Sequence, residues 1–177
     1  MPGPDMPGAL RDHCQVNMGS SVYVLGGTAG SSGASSLVFV LELGVWRAIS
    51  SMRDPRSSLA CIAHDGSIYA IGGYDPNAWP AYLSTVEVYN PGSDTWQPGP
   101  VLPSPLANAQ VINHQGIIYL IGGASDVNNN KVFTLSEGMW QVLTEGGMDL
   151  VVEAFPRKIY PAPVLSADIL FCASNNQ

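Results

Sequence analysis

One six-residue pattern occurs three times, and its spacing limits the fold more than any other feature of the chain. Val22-Tyr23-Val24-Leu25-Gly26-Gly27 returns as Ile68-Tyr69-Ala70-Ile71-Gly72-Gly73 and as Ile118-Tyr119-Leu120-Ile121-Gly122-Gly123. The tyrosines are 46 and 50 residues apart, a period that signals stacked repeats before any single element is assigned. A second apolar run follows each Gly-Gly at 38–41, 86–89 and 132–135, and a tryptophan, Trp46, Trp96 or Trp140, lies five to seven residues beyond it. Another apolar segment precedes the Tyr-bearing run, clearest at 59–63 and 109–112, and joins it through His64-Asp65-Gly66 or His114-Gln115-Gly116. These are hairpin turns.

One period thus holds four short β-branched and aromatic segments separated by turn residues, enough for one four-stranded antiparallel sheet. A lone sheet cannot cover both its faces, so copies must stack around an axis. The predicted fold is all-β: a β-propeller of about three four-stranded blades plus part of a fourth, an incomplete ring. The repeat units run roughly over 11–52, 57–102 and 107–145, with a degenerate partial unit at 158–177 and a disordered N-terminus over 1–10. The open blade edges would need a partner, a second copy or further sequence. Composition agrees, since 19 Gly and 14 Pro in 177 residues leave little room for long helices.

Within a blade, Tyr23, Tyr69 and Tyr119 mark the second strand, and the doublets Gly26-Gly27, Gly72-Gly73 and Gly122-Gly123 end it where a Cβ would clash. Trp46, Trp96 and Trp140 are expected to fill the widening outer part of the blade, each meeting the Tyr of its own repeat.

Several function classes are disfavoured. Fourteen acidic against seven basic residues give a formal net charge of −7, and the few cations do not cluster, so nucleic acid is not an expected partner. No apolar run approaches the roughly 20 residues that cross a bilayer, so no membrane partner is expected. The first ten residues do not read as a secretory signal, and no Asn-x-Ser/Thr sequon occurs. Cys14, Cys61 and Cys172 are odd in number and widely spaced, which predicts a reducing, cytoplasmic setting, with Cys14 and Cys61 as small buried thiols. His13, His64 and His114 invite a metal reading, but His64 and His114 stand at equivalent turn positions on different blades and are expected to be solvent-exposed; neither a metal nor a cofactor is expected. The Gly-rich stretch 26–33 lacks the Lys and following helix of a phosphate loop, and no nucleophile elbow appears.

The chain resembles the kelch-repeat family, whose blades carry a Gly-Gly doublet after a Tyr-containing strand and a Trp at fixed distance beyond. The central unit carries the resemblance best, in 68–73, Val86-Glu87-Val88-Tyr89-Asn90-Pro91, Asp94-Thr95-Trp96 and Gly99-Pro100. Units one and three have shorter hairpins before Trp, and Arg56 matches a position where kelch repeats often carry arginine, although the next unit has Leu106 there. The likeness to BTB-kelch proteins implies a non-enzymatic module that binds a protein or peptide, as in substrate recognition for cullin-type ubiquitin ligases. Sugar oxidases and sialic-acid mutarotases on kelch-like propellers supply the alternative, a carbohydrate-active or copper-dependent enzyme, for which no inward-pointing acidic cluster is evident.

The repeats disagree most in the loops after each Gly-Gly, at 28–36, 74–84 and 124–130, where a binding surface can vary without cost to the core. Candidate partner contacts there are Tyr74, Asp75, Asn77, Trp79 and Tyr82, with Asp126 and Asn128 on the neighbouring blade. Trp79 is the one Trp outside the repeat register, and it either folds its own loop onto the blade or presents itself to a partner. Arg53 and Arg56 are alternative contacts, an inter-blade ion pair being the commoner use of such an arginine.

Overall fold

The structure, a computed structural model, describes residues 3–30, 33–125, 131–143, 164–166 and 169–171. Among them lie three four-stranded antiparallel sheets, one two-stranded sheet and no helix. Blade 1 comprises β1 (Cys14–Met18), β2 (Ser21–Leu25), β3 (Val38–Glu42) and β4 (Val45–Ile49). Blade 2 comprises β5 (Ala60–His64), β6 (Ser67–Ile71), β7 (Val86–Asn90) and β8 (Thr95–Pro98). Blade 3 comprises β9 (Gln110–His114), β10 (Ile117–Ile121), β11 (Val132–Ser136) and β12 (Met139–Val142). Each sheet is a meander in chain order, and β5 lies beside both β1 and β9, so the first strands form the inner ring of a propeller arc. A hairpin of β13 (Val164–Ser166) and β14 (Ile169–Phe171) pairs Leu165 with Leu170.

Local turn chemistry sets the hairpins. Asp65-Gly66, Gln115-Gly116, Leu43-Gly44 and Glu137-Gly138 all have positive φ at both positions, which matches the right-handed twist of the strands they join. The longer β7–β8 turn instead places Asp94 alone in that region, at φ 49°.

Two apolar cores lie between blades rather than within them. Tyr23, Leu25, Val38 and Val40 of blade 1 pack against Ile68, Ala70 and Tyr89 of blade 2. Ile71 and Val86 of blade 2 pack against Ile118, Leu120, Phe133 and Trp140 of blade 3. Side chains that are fully withdrawn from water here are each worth about 1.5–3 kcal/mol, so the joints, not the sheets alone, hold the arc together.

The diglycines work at these joints. A Cβ on Gly26 would collide with the Arg56 carbonyl, and one on Gly72 with the Leu106 carbonyl. The next glycine exploits that closeness: Gly27 N–H donates to Arg56 O at 2.7 Å and Gly73 N–H to Leu106 O at 2.8 Å. Nearer the axis a second line of bonds crosses all three blades, Ser58 N–H to Asp12 O and Asn108 N–H to Ser58 O, each 2.8 Å. Asp12, Ser58 and Asn108 recur at the repeat spacing, and all have positive φ.

The tryptophans depart from expectation. Tyr23 pairs across the sheet with Val40 and Trp46 with Leu41, so neighbouring residues on β3 send the Tyr and the Trp of one repeat to opposite faces. They cannot meet. Tyr23 and Tyr69 look toward the following blade, and Trp96 and Trp140 toward the preceding one. Trp96 stacks instead on Tyr89 of its own blade, with centroids 5.1 Å apart, and Tyr89 meets Tyr23 across the joint at 6.2 Å. The Trp96 indole N–H donates to Ser50 O at 2.8 Å, and the Trp46 indole N–H donates to Pro4 O at 3.2 Å. Pro4 precedes Ser50 by the same 46 residues that separate the first two tyrosines. Residues 3–10 form no strand or helix, yet they hold the place before blade 1 that the linker over 50–57 holds before blade 2.

The cysteines also require correction. Cys14 and Cys61 are not thiols but a disulfide between β1 and β5. Their separation of 47 is one repeat of 46 plus one residue, and that odd remainder turns the two side chains toward each other across the joint instead of in the same sense. The disulfide removes one argument for a reducing setting. Cys172 lies outside the described residues.

Candidate functional site

The meander places the loop after each Gly-Gly and the linkers between blades at one end of the arc. There the second loop, 74–84, is built from its base upward. Tyr74 bridges Ser57 of the linker on one side and Tyr82 on the other, and Leu83 N–H returns to Gly73 O at 2.9 Å. The Tyr74 and Tyr82 rings meet edge to face at 5.1 Å. Asp75 is buried, 7% exposed, and its carboxylate accepts the Asn77 N–H at 3.0 Å while its backbone N–H donates to Ala81 O. Asp75 therefore shapes the loop rather than presenting a charge. Asn77 is exposed and touches the first loop, where a Cβ on Gly33 would come within 2.8 Å of its Nδ2.

Trp79 caps this frame. It is 96% exposed and is followed by a cis peptide to Pro80. Its ring does not fold onto the blade, so the first of the two uses that the sequence left open is not the one adopted. An indole held fully in water at the tip of a loop with a bonded base is a large apolar area available to another surface.

The two arginines part company. Arg53 is exposed near the same loops, its backbone N–H bound to Glu87 Oε2 at 2.8 Å. Arg56 has no exposed surface, so it cannot be the partner contact expected as one of its uses. Its guanidinium donates to Gly72 O and Thr85 O at 2.8 Å, to Thr85 Oγ1 at 3.0 Å and to the buried Glu87 carboxylate at 2.9 Å. Glu87 also accepts the N–H groups of Arg53 and Asp54, so the linker before blade 2 is bolted to β6 and β7. Arg56 Nε alone of its nitrogens finds no acceptor among the described residues.

Asp126 and Asn128 lie outside the described residues. The histidines are half-buried strand-end residues rather than fully exposed turn residues: His64 Nδ1 is 3.0 Å from Asn113 Nδ2 and its ring edges Tyr69, while His13 Nδ1 lies 3.2 Å from Leu10 O. Among the described residues no group of three or more His, Cys, Asp or Glu is placed to hold a metal ion.

Two features escaped the sequence reading, the buried Glu87 and the Cys14–Cys61 bond, and both left a signal. Glu87 stands where the other blades carry Phe39 and Phe133, and Arg56 where they carry Leu10 and Leu106. Opposite charges at two apolar repeat positions signal a buried ion pair. For the cysteines, the signal was the odd remainder of their spacing.

The Kelch motif model matches residues 55–102. Kelch-like protein 35 of Mus musculus is 32% identical over 146 residues, 80% of this chain and 25% of the relative. Kelch-like protein 33 of Homo sapiens is 33% identical over 70% of this chain and 23% of its own length. Alpha-scruin of Limulus polyphemus is 29% identical over 88% of this chain and 17% of its own length. The chain thus spans a quarter or less of these three relatives. Among solved structures, that of YjhT superposes with a TM-score of 0.66 at 18% identity, covering 82% of this chain and 54% of the other, a likeness of fold.

Proposed function

Since this chain belongs to the kelch-repeat family, we propose that it is a non-enzymatic protein-interaction module that binds a protein or peptide through the loop face after Gly27, Gly73 and Gly123. The observation that carries the reading is Trp79, 96% exposed on a loop whose base is fixed by the Ser57–Tyr74–Tyr82 bridges and the buried Asp75. Binding needs no more chemistry than this. The indole enters an apolar pocket of the partner and sheds its water, while the half-buried Tyr74 and Tyr82 and the exposed Asn77 and Arg53 supply a polar surround. Because the frame is already ordered, little conformational entropy is lost on docking. Asp126 and Asn128 would extend the face over blade 3.

The finer role, substrate recognition for a cullin-type ubiquitin ligase in the cytoplasm, follows the BTB-kelch resemblance. The edges of the arc offer a second mode, self-association blade to blade. Affinity capture from a lysate with the wild-type chain and Trp79→Ala tests the central claim. Capture should fall by roughly 30-fold or more, as for an interface anchor, with unchanged melting. Equal capture by both proteins removes Trp79 from the site, and stoichiometric copper or turnover of a sugar substrate by the purified chain would replace binding with catalysis.

A further inference from the structure

The disulfide lies at a joint whose architecture does not need it. The repeat places Cys14 in register with Ala60 and Cys61 with Val111. At the joint between blades 2 and 3, Ala60 and Val111 close the same space by apolar contact alone. A cysteine pair in place of an alanine and a valine adds a bond where packing suffices, and that bond can be broken without taking the joint's shape away.

We infer that Cys14–Cys61 is a reversible redox staple that locks blade 1 to blade 2 and thereby fixes the spacing of the loops each blade presents. Its position supports this. Cys14 pairs with Leu25, the residue immediately before Gly26-Gly27, and lies two residues from Asp12, whose carbonyl accepts the Ser58 N–H. The staple is therefore at the loop end of the inner strands, below the contact between Gly33 and Asn77. Access is asymmetric: Cys61 is buried while Cys14 is half-buried on the first strand of the arc, so an incoming thiolate reaches the Cys14 sulfur first.

The exchange balances with glutathione alone. In closing, a cysteine thiolate attacks glutathione disulfide and expels one glutathione thiolate, leaving a mixed disulfide. The second cysteine thiolate attacks the protein sulfur and expels the other. Two protein thiols are oxidised, one glutathione disulfide is reduced to two glutathione thiols, and the two protons lost by the protein end on them. Opening is the reverse.

The staple's bearing on recognition rests on the proposed role of the loop face; its existence does not, and the test reads it without a partner. The 177-residue chain is equilibrated over graded ratios of reduced to oxidised glutathione, trapped by alkylation for peptide mapping, and melted in parallel. The Cys14 and Cys61 peptides should pass from linked to separately alkylated in a single transition, and the melting temperature should fall by about 10 °C over the same ratios. The Cys14→Ala/Cys61→Ala double variant should melt near the reduced wild-type temperature at every ratio, and Cys172→Ala should behave as wild type. If the double variant does not fold, the mapping on the unaltered chain still decides. Peptides alkylated separately at all ratios, a link that survives full reduction, or a melting temperature indifferent to a completed transition would each overturn the inference.

Discussion

The two joints of the arc solve one problem with different chemistry. Both bring a linker carbonyl onto a diglycine, Arg56 O onto Gly27 and Leu106 O onto Gly73. Around that common latch, the joint between blades 2 and 3 is apolar: Leu106 and Phe133 are each 1% exposed and pack with Ile118 and Leu120. The joint between blades 1 and 2 carries the Arg56–Glu87 pair in those same repeat positions and adds a disulfide and a tyrosine contact. The repeat fixes where a joint forms but not what fills it. An ionic filling brings geometry and hydrogen bonds to the linker; an apolar one brings tolerance. Charges so far from water are costly to strand, whereas an apolar pair fails only in proportion to the volume lost.

That contrast can be broken by substitution. Arg56→Ala leaves Glu87 buried without its cation and should cost about 3–5 kcal/mol in denaturant unfolding, compared with about 2–5 kcal/mol for the cavity of Leu106→Ala. The sharper test is Arg56→Leu with Glu87→Phe, which rewrites the first joint in the residues of the second. It should recover wild-type stability or exceed it, since well-packed apolar replacements of buried ion pairs are neutral or stabilising by about 1–4 kcal/mol. A double variant as weak as Arg56→Ala would mean that the linker bonds of Glu87, not the fill, define this joint.

A smaller effect separates the tryptophans. The Trp96 indole N–H has an acceptor in Ser50 O, whereas the buried Trp140 indole N–H has none among the described residues. Trp96→Phe should therefore cost about 1 kcal/mol more than Trp140→Phe, the worth of one net hydrogen bond, read from paired melts. Equal losses would show that packing alone sets both.

The smallest effect is in pH. Burial, followed by the hydrogen bond to Asp94, holds the Tyr89 hydroxyl well above the usual tyrosine range. Its contribution is complete below the unfolded value of about 10 and is lost as pH rises toward the folded one. The Asp94 carboxylate is held below its usual range by the Tyr89 hydroxyl and then by the Ser50 N–H, so its contribution is present above the unfolded carboxylate range and fades as pH falls through the folded value. Tyr89→Phe should flatten the alkaline decline of stability at the first joint, and an unchanged decline would assign it elsewhere.

Much of this was legible beforehand for a physical reason. Strands and hairpins are local, so Asp65-Gly66 and Gln115-Gly116 announce their turns, and the Tyr-Gly-Gly period announces the stacking. The position of the loop face follows from the meander alone. What was misread concerns faces. Trp46 and Tyr23 were expected to meet because they are close in the blade, but strand parity sets them on opposite sides. The cysteines and Arg56 turn on the same arithmetic, for a residue's role at a joint depends on which blade it faces. Trp79 depended on more than parity, since nothing local decides whether a loop residue folds inward or stays in water.

The sequence by itself determined the number of described four-stranded blades, their strand order and the sites of the diglycine latches, because these follow from short-range turn chemistry repeated in phase. Only the tertiary structure decided which side chains share a joint: that Arg56 is closed off against Glu87, that Cys14 finds Cys61, and that Trp79 stands in solvent. The first two outcomes arise between sheets, where contacts join residues some 30 to 50 positions apart and the free energy lies in what the neighbouring blade excludes from water, and the third is set by how the loop frame stands above them.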